Sequence, residues 1–168
     1  AIIADAEMFR ILQSWKAGLA PPLQRLIKRN IELKSRIVAK DERDQTGERA
    51  LLNFGHTVGH AIERAGNYQK FLHGEAVSLG IVAACAISVK RAGLPGDQRA
   101  AVVDLLERFE LPTRLPSNFP RKKIFDAIKF DKKFEGGNVR FVVTPRIGTA
   151  RITNDVTLDD IREALKQL

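Results

Sequence analysis

At 168 residues the chain is long enough for one hydrophobic core, or for one domain of a larger enzyme. Its 28 Lys and Arg against 20 Asp and Glu leave +8, which favours an anionic partner. With one Tyr, one Trp, basic residues scattered through amphipathic segments and no helix-turn-helix, RNP, zinc-finger or basic-zipper pattern, a small phosphorylated or carboxylated molecule fits that charge better than nucleic acid does. The single cysteine, Cys85, sits in an apolar run, so it excludes a disulfide within the chain and reads as a small core residue of a protein kept in a reducing cytoplasm.

The chain starts at Ala1 without Met, inside apolar sequence, and looks cut from something longer. Asp5 is placed to cap a first helix carrying Phe9, Leu12 and Trp15 at helical spacing, with Glu7 a solvated first-turn acid. Gly18, Pro21 and Pro22 end it and start a second helix. There Leu23, Ile27, Ile31 and Val38 form one stripe, predicted to face inward, and Lys34 falls in the middle of it. A lysine there packs its stem and sends its ammonium to water. A charged loop, KDERDQTGER, spans Lys40 to Arg49.

The stretch from Arg49 to Gly80 holds all three histidines. A helix is predicted from about Ala50 to Ala65, ending at a left-handed cap near Gly66 and Asn67. His56 and His60, four apart, share one face of it, and His73 opens the next apolar run close enough to fold back beside them. This is a candidate site for a divalent metal or an anion. Spacing alone pairs His56 with His60 on a metal, with Glu63 a further turn along. Thr57 follows His56, so the HExxH arrangement of a zinc peptidase is excluded. Gly55, Gly59, Gly74 and Gly80 interrupt helical runs at about 1 kcal/mol each relative to alanine, which points to close approach of backbone to backbone or to a ligand.

Ala76 to Val89 is the most apolar run, too short and too interrupted by Ser78, Gly80 and Ser88 to span a bilayer, so it is predicted to be a buried helix ending at Gly93. Asp97 is placed to cap the next helix, with Val102, Leu105, Leu106 and Phe109 in period up to Pro112. Ser117 and Pro120 precede another, with Ile124, Phe125 and Ile128 on its inner face. After Asp131, Lys132, Lys133 and the pair Gly136 and Gly137, RFVVTP and ARITN read as two strands joined by a turn from Pro145 to Gly148. Thr157 with Asp160 resembles a capping box for a last helix to Leu168. The expected fold is mainly α: one multi-helix domain over residues 1–168 with a small β-hairpin near the C-terminus.

ELK at Glu32 to Lys34, DER at Asp41 to Arg43, RALLNFGHTVGHAIE at Arg49 to Glu63, LHGEAVSLG at Leu72 to Gly80, DKK at Asp131 to Lys133 and RFVVTPRIG at Arg140 to Gly148 together resemble the C-terminal, metal- and substrate-binding domain of 3-dehydroquinate synthase. The resemblance covers nearly the whole chain. It implies a phosphate-eliminating lyase of the shikimate pathway that converts 3-deoxy-D-arabino-heptulosonate 7-phosphate to 3-dehydroquinate and phosphate, using NAD and a divalent metal, zinc or cobalt. It also implies a cytoplasmic homodimer, with no nucleic acid or membrane as partner.

By that resemblance His56 and His73 are metal ligands. Lys34 and Arg49 hold the substrate carboxylate, while Asn53, His60 and a lysine of the Lys132, Lys133 pair contact the substrate phosphate; His60, Lys34 and Arg49 count as the catalytic set. The family's third metal ligand is a Glu upstream of Ala1, and its NAD-binding half lies further upstream, so the chain alone is expected to be catalytically incomplete. DERDQTGER is one residue longer than the family spacing, and neither Asp44 nor Gln45 is assigned to the site. Two other readings are a related sugar phosphate cyclase and a non-catalytic helical domain that binds metal or anions.

Overall fold

The most apolar run of the sequence becomes the axis of the fold. The computed structural model describes residues 1–15, 22–43, 47–129, 134, 135 and 138–168. In chain order the helices are α1 (Ala6–Ser14), α2 (Leu23–Lys40), a 3₁₀ turn (Arg49–Asn53), α3 (His56–Ala65), α4 (His73–Ala92), α5 (Gly96–Arg108) and α6 (Arg121–Lys129). Three strands follow, β1 (Phe134–Glu135), β2 (Asn138–Arg146) and β3 (Thr149–Thr157), and α7 (Leu158–Lys166) closes the chain.

Helix α4 is apolar all round, and α3, α5, α7 and the β2–β3 hairpin pack on it. Its buried residues include Ala76, Leu79, Val82, Ala83, Ala84, Cys85 and Ile87. Small side chains on several faces let neighbours approach from every direction, which an amphipathic stripe would not allow. Burial pushes the Cys85 thiol up to about 12, consistent with a core residue. Gly93, at φ +76°, ends the helix as expected.

The strands run antiparallel in the order β1-β2-β3, with Phe141 opposite Thr153 and Val142 opposite Ile152. The expected hairpin is present, and the two-residue β1 extends its edge. Ser88 ties it to α4: its hydroxyl donates to the Ala84 carbonyl (2.7 Å) and accepts from the Thr144 N–H (3.0 Å).

The capping signals at Asp5 and Thr157 hold, and that at Asp97 does not. Asp5 accepts from the Met8 N–H (2.9 Å) and also binds the Arg29 guanidinium, which joins α1 to α2 and holds the Asp5 carboxyl below its usual range. Glu7 does more than face solvent, since it pairs with Arg29 at 2.9 Å. Asp97 lies inside the first turn of α5 and Pro95 takes the cap position. The left-handed residues after α3 are Asn67 and Tyr68, with Gly66 at φ −91°.

Two further expectations need correction. The predicted Ala50 to Ala65 helix is broken into the 3₁₀ turn and α3, because Gly55 adopts φ +81° against the backbone of Ile81. Most of the α2 stripe faces outward: Leu23, Ile27 and Ile31 are 56%, 56% and 60% exposed and Lys34 beside them is exposed too, while Val38 at its end is half-buried. Helix α2 instead turns Leu26, Arg29, Leu33 and Ile37 toward the protein, directed by the Asp5 and Glu7 contacts to Arg29.

Helix α7 is held by a buried acid. Asp160, 2% exposed, accepts from the Thr157 N–H (2.9 Å) in the expected capping box and from Arg91 Nε (2.7 Å), with Lys90 Nζ 2.9 Å away. Burial works against its charge, but the bonds from Arg91, Thr157 and Lys90 prevail and hold its carboxyl well below the usual carboxylate range. A depressed carboxyl contributes stability above its unfolded-state pKa and loses it as pH falls through the folded one. Asp160→Asn is therefore expected to cost about 2 kcal/mol at pH 7, the scale of a charge-assisted bond to a buried group. The gap to the parent should shrink below about pH 4, where Asp160 of the unfolded chain begins to protonate while the folded carboxyl stays charged. Urea unfolding at pH 7 and pH 3 checks this, and an equal gap at both would count against it.

Candidate metal and substrate site

Two glycine contacts bring the histidines together. A Cβ on Gly80 would lie 2.0 Å from the Gly55 carbonyl oxygen and 2.8 Å from Gly59 N, and one on Gly59 would lie 3.1 Å from the Ala76 carbonyl oxygen. Helices α3 and α4 therefore touch backbone to backbone. Gly74, expected to serve the same purpose, has nothing within 4 Å of its Cβ position.

His56 is the first residue of α3, His60 stands one turn later, and His73 is the first residue of α4. Their ring centroids form a near-equilateral triangle with sides of 5.4, 5.6 and 5.8 Å. One potential ligand atom from each lies within 4.8 Å of the others, and this is the cluster among the described residues able to hold a metal ion. His56 is half-buried, whereas His60 and His73 are exposed.

Each of two rings is oriented through its Nδ1. His56 Nδ1 lies 3.3 Å from the Phe54 carbonyl oxygen, and His73 Nδ1 lies 3.1 Å from Glu63 Oε1. In the neutral ring this leaves the Nε2 lone pair free for a ligand-accepting ion. Burial lowers the His56 pKa, outweighing the Phe54 bond that raises it, and His60 and His73 add to the lowering. A neutral imidazole is the form that binds a metal, so the residues present fit zinc or cobalt. Glu63 is only 12% exposed on its side chain, and sequence spacing had set it beside the metal. The structure makes it the orienting partner of His73, a role that spacing along one helix could not show because His73 belongs to another.

The other candidates are placed as follows. Arg49 begins the 3₁₀ turn, where its N–H donates to Asp41 Oδ2 (3.3 Å) and its Nη1 to the Glu42 carbonyl (3.0 Å). Asn53 is exposed at the end of the same turn, three residues before His56. Lys34 lies on α2, which packs on the 3₁₀ turn. Lys132, Lys133, Asp44 and Gln45 lie outside the described residues.

Residues 1–134 match the family described as 3-dehydroquinate synthase C-terminal. The chain belongs to this family. It is 40% identical over 176 residues to 3-dehydroquinate synthase of Nostoc sp. (strain PCC 7120 / SAG 25.82 / UTEX 2576), covering 99% of this chain and 47% of the relative. It is 39% identical over 143 residues to that of Methylacidiphilum infernorum (isolate V4), covering 85% of this chain and 40% of the relative. The chain thus spans about half the length of the 3-dehydroquinate synthases it matches.

Among solved structures the fold is similar to ValA, a 2-epi-5-epi-valiolone synthase from Streptomyces hygroscopicus subsp. jinggangensis 5008 with NAD+ and Zn2+ bound (TM-score 0.81, 24% identity, 99% of this chain and 47% of that one). It is also similar to 2-deoxy-scyllo-inosose synthase complexed with carbaglucose-6-phosphate, NAD+ and Co2+ (TM-score 0.60, 25% identity, 68% of this chain and 34% of that one). No described helix is long and apolar enough to cross a membrane.

Proposed function

We propose that this chain is the metal- and substrate-binding half of a cytoplasmic, dimeric 3-dehydroquinate synthase, acting on 3-deoxy-D-arabino-heptulosonate 7-phosphate to release phosphate and form 3-dehydroquinate. The observation that carries the reading is the His56, His60, His73 cluster, built on the glycine-tight crossing of α3 and α4 in a chain of this family.

In this reading His56 and His73 hold a zinc or cobalt ion, with Phe54 and Glu63 fixing their rings. The metal, when bound, supplies Lewis acidity toward substrate hydroxyls, and NAD, held by another part of the enzyme, supplies the transient oxidation that acidifies the proton lost with phosphate. His60, Asn53 and a lysine of the Lys132, Lys133 pair receive the phosphate. Lys34 and Arg49 receive the carboxylate, Arg49 by a charge-assisted, bidentate-capable fork. Arg49 is restrained through its bond to Glu42, which limits the entropy lost on gripping substrate.

The decisive test is phosphate release from that substrate with NAD and zinc or cobalt, by this chain alone and by the chain joined to an upstream dinucleotide-binding half. Release only in the joined form is expected. Release in neither overturns the assignment, and release by the bare chain overturns the need for a second half. The likeness to 2-deoxy-scyllo-inosose synthase complexed with carbaglucose-6-phosphate favours one competing reading, a related sugar phosphate cyclase. Arg49→Ala separates the two: it should raise the barrier by about 2 to 4 kcal/mol for the carboxylated substrate and leave any turnover of a heptulose phosphate lacking the carboxylate unchanged.

A further inference from the structure

A second cavity, sharing no residue with the histidine cluster, opens between α6 and α7. It has a volume of about 400 Å³ and is lined by Arg121, Lys122, Phe125, Asp126, Arg162, Leu165 and Lys166. Arg121, Lys122 and Phe125 come from one side of α6, and Arg162, Leu165 and Lys166 from one face of α7, at the helical spacings that bring side chains together. The volume lies within the range of small-molecule sites.

The lining divides into an apolar floor and a basic rim. Leu165 is buried and Phe125 half-buried, and the Arg162 guanidinium stands 4.6 Å from the Phe125 ring centroid. Two of the four cations are already matched: Lys122 bonds Asp126 at 3.1 Å, and Arg162 bonds Asp159. Among the described residues no ion pair engages Arg121 or Lys166, which rise from the two opposing helices. An exposed cation without a partner is ordinary. Here a half-buried Arg121 and an exposed Lys166 line one cavity together with Phe125 and Leu165, a combination that suits an anion with an apolar body.

We propose that this cavity binds a small aromatic carboxylate, its ring packed on Phe125 and Leu165 and its carboxylate held between Arg121 and Lys166. A bare phosphate would satisfy the rim but leave the floor wet, and a sugar would set hydroxyls against Phe125 and Leu165 with nothing to bond. An aromatic ring with one anionic end uses both parts of the site. The reading stands apart from the proposed activity, because none of these residues belongs to that machinery.

The test is calorimetric titration of this chain with 3-phenylpropionate, with 3-phenylpropan-1-ol and with inorganic phosphate. Saturable binding of 3-phenylpropionate alone is expected. It should weaken about tenfold or more in Arg121→Gln/Lys166→Gln, and comparably in Phe125→Ala. Among the described residues the side chains of Arg121 and Lys166 make no hydrogen bond or ion pair, so circular dichroism of the double variant should match the parent. His56→Ala should leave the binding unchanged, which separates this cavity from the histidine cluster. No saturation below about 10 mM overturns the proposal. So does equal affinity for the alcohol, equal affinity for phosphate, or a double variant that binds as the parent does.

Discussion

Replacing Gly80 with alanine is expected to destabilise the fold by about 3 kcal/mol or more, a drop of about 6 to 12 °C in Tm for a domain of this length. The new methyl carbon would start 2.0 Å from the Gly55 carbonyl oxygen and 2.8 Å from Gly59 N, and both obstacles are backbone that no rotamer change can move. Relief requires α3 to separate from α4. Since His56 and His60 ride on α3 and His73 on α4, the same shift would spread the histidine triangle, so metal affinity should fall along with stability. Gly74→Ala is the matched control: its Cβ position is open and its helical backbone suits alanine, so it should be neutral or slightly stabilising. Thermal unfolding of the two variants gives the comparison, and a Gly80→Ala protein as stable as Gly74→Ala would refute the close-crossing account.

Loss of His56 is expected to weaken zinc binding about a thousandfold, the scale of removing one ligand from a site whose total binding is some 10 kcal/mol or more. His56 is the half-buried member of the cluster, and burial keeps it neutral to lower pH than an ordinary histidine, so protons compete less with the metal for it than for a free imidazole. Glu63→Ala removes only the partner of His73 Nδ1 and should cost 10- to 100-fold, because the ring loses its fixed tautomer while keeping its ligand atom. His60 decides between two ligand sets. If it serves substrate phosphate, His60→Ala should change zinc affinity less than tenfold; if it is a ligand, the loss should match that of His56. Competition against a chromophoric chelator at pH 7.5 measures all three. A His56→Ala protein that binds zinc like the parent would remove this cluster as the metal site.

The histidine triangle was partly legible in the chain. Spacing of four residues guaranteed that His56 and His60 would share a face, a property of one helix and its 3.6-residue period. That His73 would join them depended on how α3 lies on α4, and the hints were Gly55, Gly59 and Gly80, whose cost inside helices had to be offset by something nearby. Gly74 gave the same hint, yet no backbone lies within 4 Å of its Cβ position; a missing side chain does not say what fills the space.

What the residues determined alone was local: the caps at Asp5 and Thr157, the end of α4 at Gly93, the hairpin at Gly148, and the burial of the apolar α4 run. The caps, the helix end and the hairpin follow from a dihedral preference or a hydrogen bond reaching at most a few residues along the chain, and the burial of α4 follows from a run with no polar face. Tertiary structure decided the rest. The apolar row of Leu23, Ile27 and Ile31 looked like a buried stripe, yet α2 presents its other side to the protein because Arg29 is claimed by Asp5 and Glu7, more than twenty residues away in sequence. Glu63 likewise became the partner of His73, and Arg121 and Lys166 came to line one cavity, only through packing between helices. Periodicity shows that a helix has two faces; which face is buried depends on charges and volumes contributed by distant parts of the chain.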